Sequence, residues 1–113
     1  MLEIQTRQLD PDITVLDIKG RITLGGDSKQ LEWAVEKLIS EGKKKIVLDL
    51  SGVTSLDSTG IGIVVMSAGR IKKAGGELRV TGATAHIEEV LKMTNVDQLV
   101  GLHPTIAAAT ASF

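Results

Sequence analysis

Five residues in the middle of the chain limit its fold more than any others. Ile46-Val47-Leu48-Asp49-Leu50 is an apolar run without the alternation of a strand that has one wet face. A run of that kind suits a strand covered on both sides, as in a parallel sheet. A short polar connection follows, then Asp57-Ser58-Thr59-Gly60 and a second apolar segment that begins at Ile61. Asp, Ser and Thr side chains accept the unpaired N–H groups of a first helical turn, so a helix starts at Asp57 or Ser58. The central unit is therefore strand, loop, helix, with hydroxyls at the junction.

The segments around this unit supply the rest of an α/β domain. Leu2 to Leu9 places Leu2, Ile4 and Thr6 on one strand face, Asp10-Pro11-Asp12 is a turn by composition, and Ile13 to Lys19 is a second strand. So short a connection makes the pair an antiparallel hairpin. Gly20 and Gly25-Gly26 bracket the small apolar patch Ile22 to Leu24, which reads as a loop or a short strand ending. Asp27 and Gln30 resemble a capping box, Leu31, Val35, Leu38 and Ile39 follow at helical spacing, and Gly42 closes that helix. Trp33 lies roughly 200° around the helix from Leu31, and its ring is expected to fold against a neighbouring loop, with a partner-binding role as the alternative. Lys43-Lys44-Lys45 is a solvated ramp.

Beyond the Ile46 to Leu50 strand, Ser51 to Leu56 reads as a loop and a helix runs from about Ser58 to Ala74, with Ile61, Val64, Val65, Ala68 and Ile71 facing the sheet. Gly60, Gly62 and Gly69 each cost that helix roughly 1 kcal/mol relative to Ala. Close approach of another backbone would explain them. Gly75-Gly76 ends the helix, Glu77 to Thr81 is a strand with Leu78 and Val80 inward, and Thr84 caps a helix carrying Ile87, Val90 and Leu91 that stops at Asn95. A short strand at Leu99 to Leu102 and a helix from Thr105 to Ala111, with Pro104 at its first position, complete the chain. The alternation of helix and strand after residue 27 predicts a mixed, mostly parallel sheet of about four or five strands that starts with the hairpin and is packed with three or four helices, as one domain spanning 1–113.

Composition excludes several function classes. Thirteen Lys and Arg against fourteen Asp and Glu leave a net charge of −1, and Trp33 and Phe113 are the only aromatic residues, so neither a basic field nor stacking platforms exist for nucleic acid. There is no cysteine, and the two histidines, His86 and His103, stand apart, which argues against a metal site. The N-terminus lacks a signal-peptide layout and no apolar run approaches a bilayer span, so a cytoplasmic protein without membrane insertion is expected.

Enzymatic readings of the central junction fail on their own requirements. A nucleophile elbow needs glycine two residues before the serine, and position 56 is Leu; a triad also needs a base, which neither histidine's context marks. Gly60-Ile61-Gly62 continues to Val65, where a dinucleotide fingerprint requires a small residue, and no Walker-type Gly-Lys-Ser/Thr exists. Asp49 or Asp57 as a phosphoacceptor would need further acids at strand ends to hold Mg²⁺, and the second strand ends on Asp17 and Lys19-Gly20. The chain does not read as an enzyme, and no cofactor is expected.

Asp57-Ser58-Thr59-Gly60, together with Val47-Leu48-Asp49-Leu50-Ser51-Gly52-Val53 before it and Gly62 after it, resembles the signature of anti-sigma factor antagonists of the STAS family. The similarity extends over the hairpin start, Gly20, the helix ending at Gly42 and the Lys72-Lys73-Ala74-Gly75-Gly76 exit. It implies a STAS fold and a bacterial regulator that binds an anti-sigma factor with serine kinase activity and so releases a sigma factor. It also implies that Ser58 is the phosphorylated residue, that Asp57, Ser58, Thr59, Gly60 and Gly62 form the partner-binding surface, and that a serine phosphatase is a further partner. Thr23, where relatives often carry an acid, and the bland Ala107-Ala108-Ala109 stretch leave the identity of the partner open. An accessory or scaffold STAS subunit that is never phosphorylated, in a lipid-transport ABC complex or a stress-signalling assembly, is the alternative.

Overall fold

The computed structural model describes residues 2–10, 12–24, 28–111 and 113. The turn proline Pro11, the Gly25-Gly26 pair and the Asp27 end of the capping box lie outside them. The elements are β1 (Leu2–Asp10), β2 (Ile13–Ile22), α1 (Ser28–Ser40), β3 (Lys45–Leu56), α2 (Ser58–Lys73), β4 (Glu77–Thr81), α3 (Ala85–Met93), a 3₁₀ turn (Val96–Gln98), β5 (Gly101–His103) and α4 (Ile106–Ala111). The strands lie in the order in which they are made, β1-β2-β3-β4-β5. β1 and β2 are antiparallel, with Ile4 opposite Ile18, and every later pairing is parallel.

Three successive crossovers in the same direction put α1, α2 and α3 on one face of the sheet, as a single handedness requires. Leu31 and Val35 of α1, Val64 and Ile71 of α2, and Ile87 and Leu91 of α3 pack there against Leu16, Ile18, Ile46, Leu48, Leu50 and Val80. The shorter α4 closes the opposite face, where its Ala109 joins Ile13, Val15 and Val47. The unbroken apolar run in β3 is thereby explained. Ile46, Leu48 and Leu50 point to the three helices and Val47 points to α4.

Several elements differ from what local patterning predicts. Ser51 to Leu56 is not a loop, because β2 does not stop at Lys19. It continues through Gly20, at φ 106°, to Ile22, and its tail pairs in parallel with the second half of β3, with Gly20 opposite Val53 and Ile22 opposite Leu56. Register shifts between Asp17 and Lys19 and between Gly20 and Arg21 break the alternation, so the extension has the polar look of a turn. In α2 the buried stripe is Gly60, Ile63, Val64, Ser67, Ala68 and Ile71, whereas Ile61 and Val65 are half-buried at its flank.

Smaller differences lie at element ends. Thr84 occupies the cap position of α3 but its hydroxyl makes no capping bond. The last strand begins at Gly101, after the 3₁₀ turn. α4 starts at Ile106 and is capped by Thr105, whose Oγ1 accepts from the Ala108 N–H at 3.1 Å, so Pro104 precedes the cap. Asn95 (φ 63°) and Gly42 (φ +77°) stand in the left-handed region beyond their helices, as expected. Trp33 is 66% exposed. Among the described residues no loop covers it; it flanks a groove between α1 and β1, beside Ile4 and Thr6.

The glycines of α2 divide into two kinds. A Cβ on Gly60 would stand 2.0 Å from the Ile22 carbonyl oxygen, while Gly62 and Gly69 have nothing within 4 Å of theirs. The close backbone approach expected of all three exists for Gly60 alone. Gly69→Ala is therefore expected to raise stability by about 1 kcal/mol, through helix propensity and a less flexible unfolded chain. Gly60→Ala should lower it by about 1–3 kcal/mol, because the obstructing atom is backbone. Urea midpoints at constant slope check both signs.

Candidate functional site

The helix face of the sheet ends in a corner where the β2 tail, the end of β3 and the first turn of α2 meet. Asp57 makes the corner. Its backbone is extended (φ −103°, ψ −173°), so its side chain turns back over the helix start, and Oδ1 accepts from the Gly60 N–H at 2.9 Å. The second oxygen, Oδ2, accepts from the Leu24 N–H, also at 2.9 Å. One carboxylate thus caps α2 and holds the segment after β2 against it. The Asp57 N–H reaches the Ile22 carbonyl at 3.4 Å and the Asp57 carbonyl accepts from Ile61 at 2.9 Å.

The N–H of Gly60, and after it that of Leu24, favour the charged form of Asp57 and hold its carboxyl below the ordinary value of 3.8. Both oxygens of Asp57 are occupied by backbone N–H groups. Its part in the corner is structural.

Ser58 is the first residue of α2 and is exposed. Capping belongs to Asp57, so the Ser58 hydroxyl is not needed by the helix, and it makes no hydrogen bond among the described residues. Thr59 is half-buried, Gly62 is exposed one turn further on, and Gly60 lies buried beneath them against Ile22. Of the five residues of the expected surface, Asp57, Ser58, Thr59 and Gly62 thus surround one solvent-facing helix start, and Gly60 forms its floor. The first turn of α2 carries no acidic side chain after the Asp57 cap, and the last carries Arg70, Lys72 and Lys73, which complement the negative end of the helix.

The sequence pattern does not single out Leu24. It is 80% exposed, and its backbone N–H is bonded to Asp57, which fixes an exposed apolar residue at the corner. The signal was present as an apolar residue stranded among glycines close to no core stripe.

The other acids and histidines considered lie elsewhere. Asp17 and Asp49 are paired in register on the α4 side of the sheet. Arg7 Nε donates to Asp17 at 2.8 Å and holds its carboxyl below the usual range. Asp49 accepts from the Ser51 N–H at 3.0 Å. His86 is exposed in the first turn of α3, and His103 ends β5, at the far edge of the sheet. Among the described residues no three His, Cys, Asp or Glu side chains converge as a metal would require, and no helix is long and apolar enough to cross a membrane.

The family model described as "Mlab, STAS domain" matches residues 6–101. The chain belongs to the STAS domain family. A relative of this STAS domain from Thermotoga maritima, provisionally named an anti-sigma factor antagonist, is 33% identical over 78 residues, 69% of either chain. The crystal structure of a T. maritima protein under the same provisional name superposes with a TM-score of 0.87 at 26% identity, over 96% of this chain and 92% of that one. The Bacillus cell fate determinant SpoIIAA in its phosphorylated form shares the fold at a TM-score of 0.74 and 13% identity, over 98% and 100% of the two chains.

The double role of Asp57 is open to measurement. Its folded-state proton affinity is depressed, so its contribution to stability is complete above the ordinary carboxylate range and is lost as pH falls through the depressed value. In an NMR titration the Gly60 and Leu24 amide resonances should move together, with a midpoint below 3.8. In Asp57→Asn, which keeps one acceptor oxygen and cannot ionise, neither should titrate.

Proposed function

We propose that this STAS domain is an anti-sigma factor antagonist of the cytoplasm. It docks on an anti-sigma factor through the start of α2, and phosphorylation of Ser58 by that partner's serine kinase activity ends the complex. A serine phosphatase restores it. The observation that carries the reading is the division of labour between adjacent residues: Asp57 caps the helix, which leaves the exposed Ser58 hydroxyl without a structural task. The relatives' names supply the class of partner, and SpoIIAA, a fold neighbour, is described in a phosphorylated form.

The chemistry follows from the corner. The γ-phosphoryl group of ATP passes to the Ser58 oxygen, ADP leaves, and the hydroxyl proton goes to a base on the kinase, since both Asp57 oxygens already accept from the Gly60 and Leu24 N–H groups. The product carries about −1.5 to −2 charges at the positive end of a helix, where it is well tolerated. The domain therefore stays folded in both states.

The partner surface changes instead. Leu24 offers an apolar anchor, and the bare backbone at Gly62 leaves room for a second surface to sit close above the helix. Forcing an unpaired charge into such a contact costs about 2–5 kcal/mol, and about 2.8 kcal/mol is already a hundredfold in affinity. Gly60 serves this surface from below, by letting the helix start lie on Ile22.

Ser58→Ala should keep wild-type stability and bind the anti-sigma partner at full affinity, while Ser58→Glu should bind about a hundredfold more weakly; calorimetry with the partner kinase reads both. Equal affinities would refute the switch. Incubation with ATP and candidate kinases, followed by mass spectrometry, should label Ser58. A domain that binds its partner but is never labelled is an accessory or scaffold subunit instead.

A further inference from the structure

The sheet has two edges, and they are unlike. β5 offers only three residues, Gly101–His103, whereas β1 runs for nine, Leu2–Asp10, and pairs on one side only, with β2. A long free edge presents a row of backbone donors and acceptors that a second strand can take up. Beside this edge, on the helix face, lies a groove of about 410 Å³ lined by Ile4, Thr6, Trp33, Ala34, Lys37 and Leu38. The core of the domain does not cover Trp33, the chain's one tryptophan.

The order of charges on β1 selects what would fill the edge. Glu3 and Arg7 stand at equal distances on either side of Gln5, on the same face of the strand and with opposite signs. If two copies of β1 are laid antiparallel about a two-fold axis through Gln5, Glu3 of each lies opposite Arg7 of the other, and Gln5 lies opposite Gln5. On the reverse face Ile4 lies opposite Thr6. Opposite charges directly across a strand pair attract and like charges repel, and an isologous interface must be self-complementary in this way. Glu3 stands opposite Lys19 and Arg7 binds Asp17 within the chain, and the same order of charges is self-complementary across the free edge.

We propose that β1 pairs with β1 of a second copy to form a two-fold dimer with a continuous ten-stranded sheet. The two α1 helices then flank the axis on the same face, the two grooves meet, and each Trp33 is covered at the joint. Arg7 can serve both neighbours: Asp17 of its own chain takes Nε and Nη2, and a guanidinium has five donors. The proposal is independent of Ser58 and of the anti-sigma reading, since it uses the far side of α1 and β1.

The test is sedimentation velocity over a concentration series, followed in parallel by the emission of Trp33, which should shift to shorter wavelength as the dimer forms. Glu3→Lys places lysine opposite Arg7 twice and Arg7→Glu places glutamate opposite Glu3 twice, so each alone should weaken the dimer by about tenfold or more. Mixed in equal amounts they should restore it, because the introduced lysine then faces the introduced glutamate while the remaining native pair is kept. Should Arg7→Glu lose its fold with the Asp17 pair, Glu3→Lys must still weaken the dimer more than the neutral Glu3→Gln does. A chain that stays monomeric up to about 1 mM, or a dimer indifferent to these substitutions, overturns the proposal.

Discussion

The carbonyl oxygen of Ile22 occupies the space that a side chain on Gly60 would fill, and much of the candidate site depends on that contact. Ile22 lies at the tip of the β2 extension, so the helix can approach it only where the extension has been built. The extension in turn exists only because the second half of β3 pairs with it, Ile22 against Leu56. Strand tail, strand end and helix start therefore form one joint. Asp57 locks the joint from the outside with two bonds, to Gly60 and to Leu24. Buried packing brings the pieces together and a charge-assisted cap fixes their angle.

A consequence of this joint is that adjacent residues with similar chemistry have separate duties. Asp57 and Ser58 are both good N-cap residues by type, but only the one whose backbone is extended can turn its oxygen back over the first turn. The helix start is thereby secured without Ser58, and a phosphate on Ser58 adds charge where the unpaired N–H groups of the first turn favour it. Under the proposed switch the fold would tolerate the modification for the same reason that the partner surface would be sensitive to it: among the described residues the hydroxyl is outside every bond that holds the corner together.

Much of this is legible from residue order. The unalternating run at 46–50 announces a strand with two covered faces, the hairpin follows from the shortness of its connection, and the Asp-Ser-Thr cluster marks a helix start. The β3 extension is hidden because two register shifts destroy its alternation and its residues are small and polar, so local pattern reads it as a turn. Periodicity places the face of α2 wrongly by a fraction of a turn. Ile61, Ile63, Val64, Val65 and Met66 are all apolar, the pattern among them has almost no phase, and it is the contact between Gly60 and Ile22 that sets which side turns inward. Trp33 illustrates the reverse case. A large aromatic side chain suggests cover by the nearest loop, but its neighbours are Ile4 and Thr6 of an edge strand, and no local rule reports what lies beyond an edge.

The strict strand order of the sheet bears on how the molecule comes into being. Each strand joins the one made just before it, so the sheet has a single growing side and never has to admit a late strand between two earlier ones. Every parallel step spans only one helix and its turns, so no strand waits for a partner made much later in the chain. A chain leaving the ribosome can lay down the hairpin, then α1 and β3, and bury apolar surface at each stage. The corner at Asp57 needs nothing beyond α2, so the later strands and helices can be added to the other side of a joint already formed.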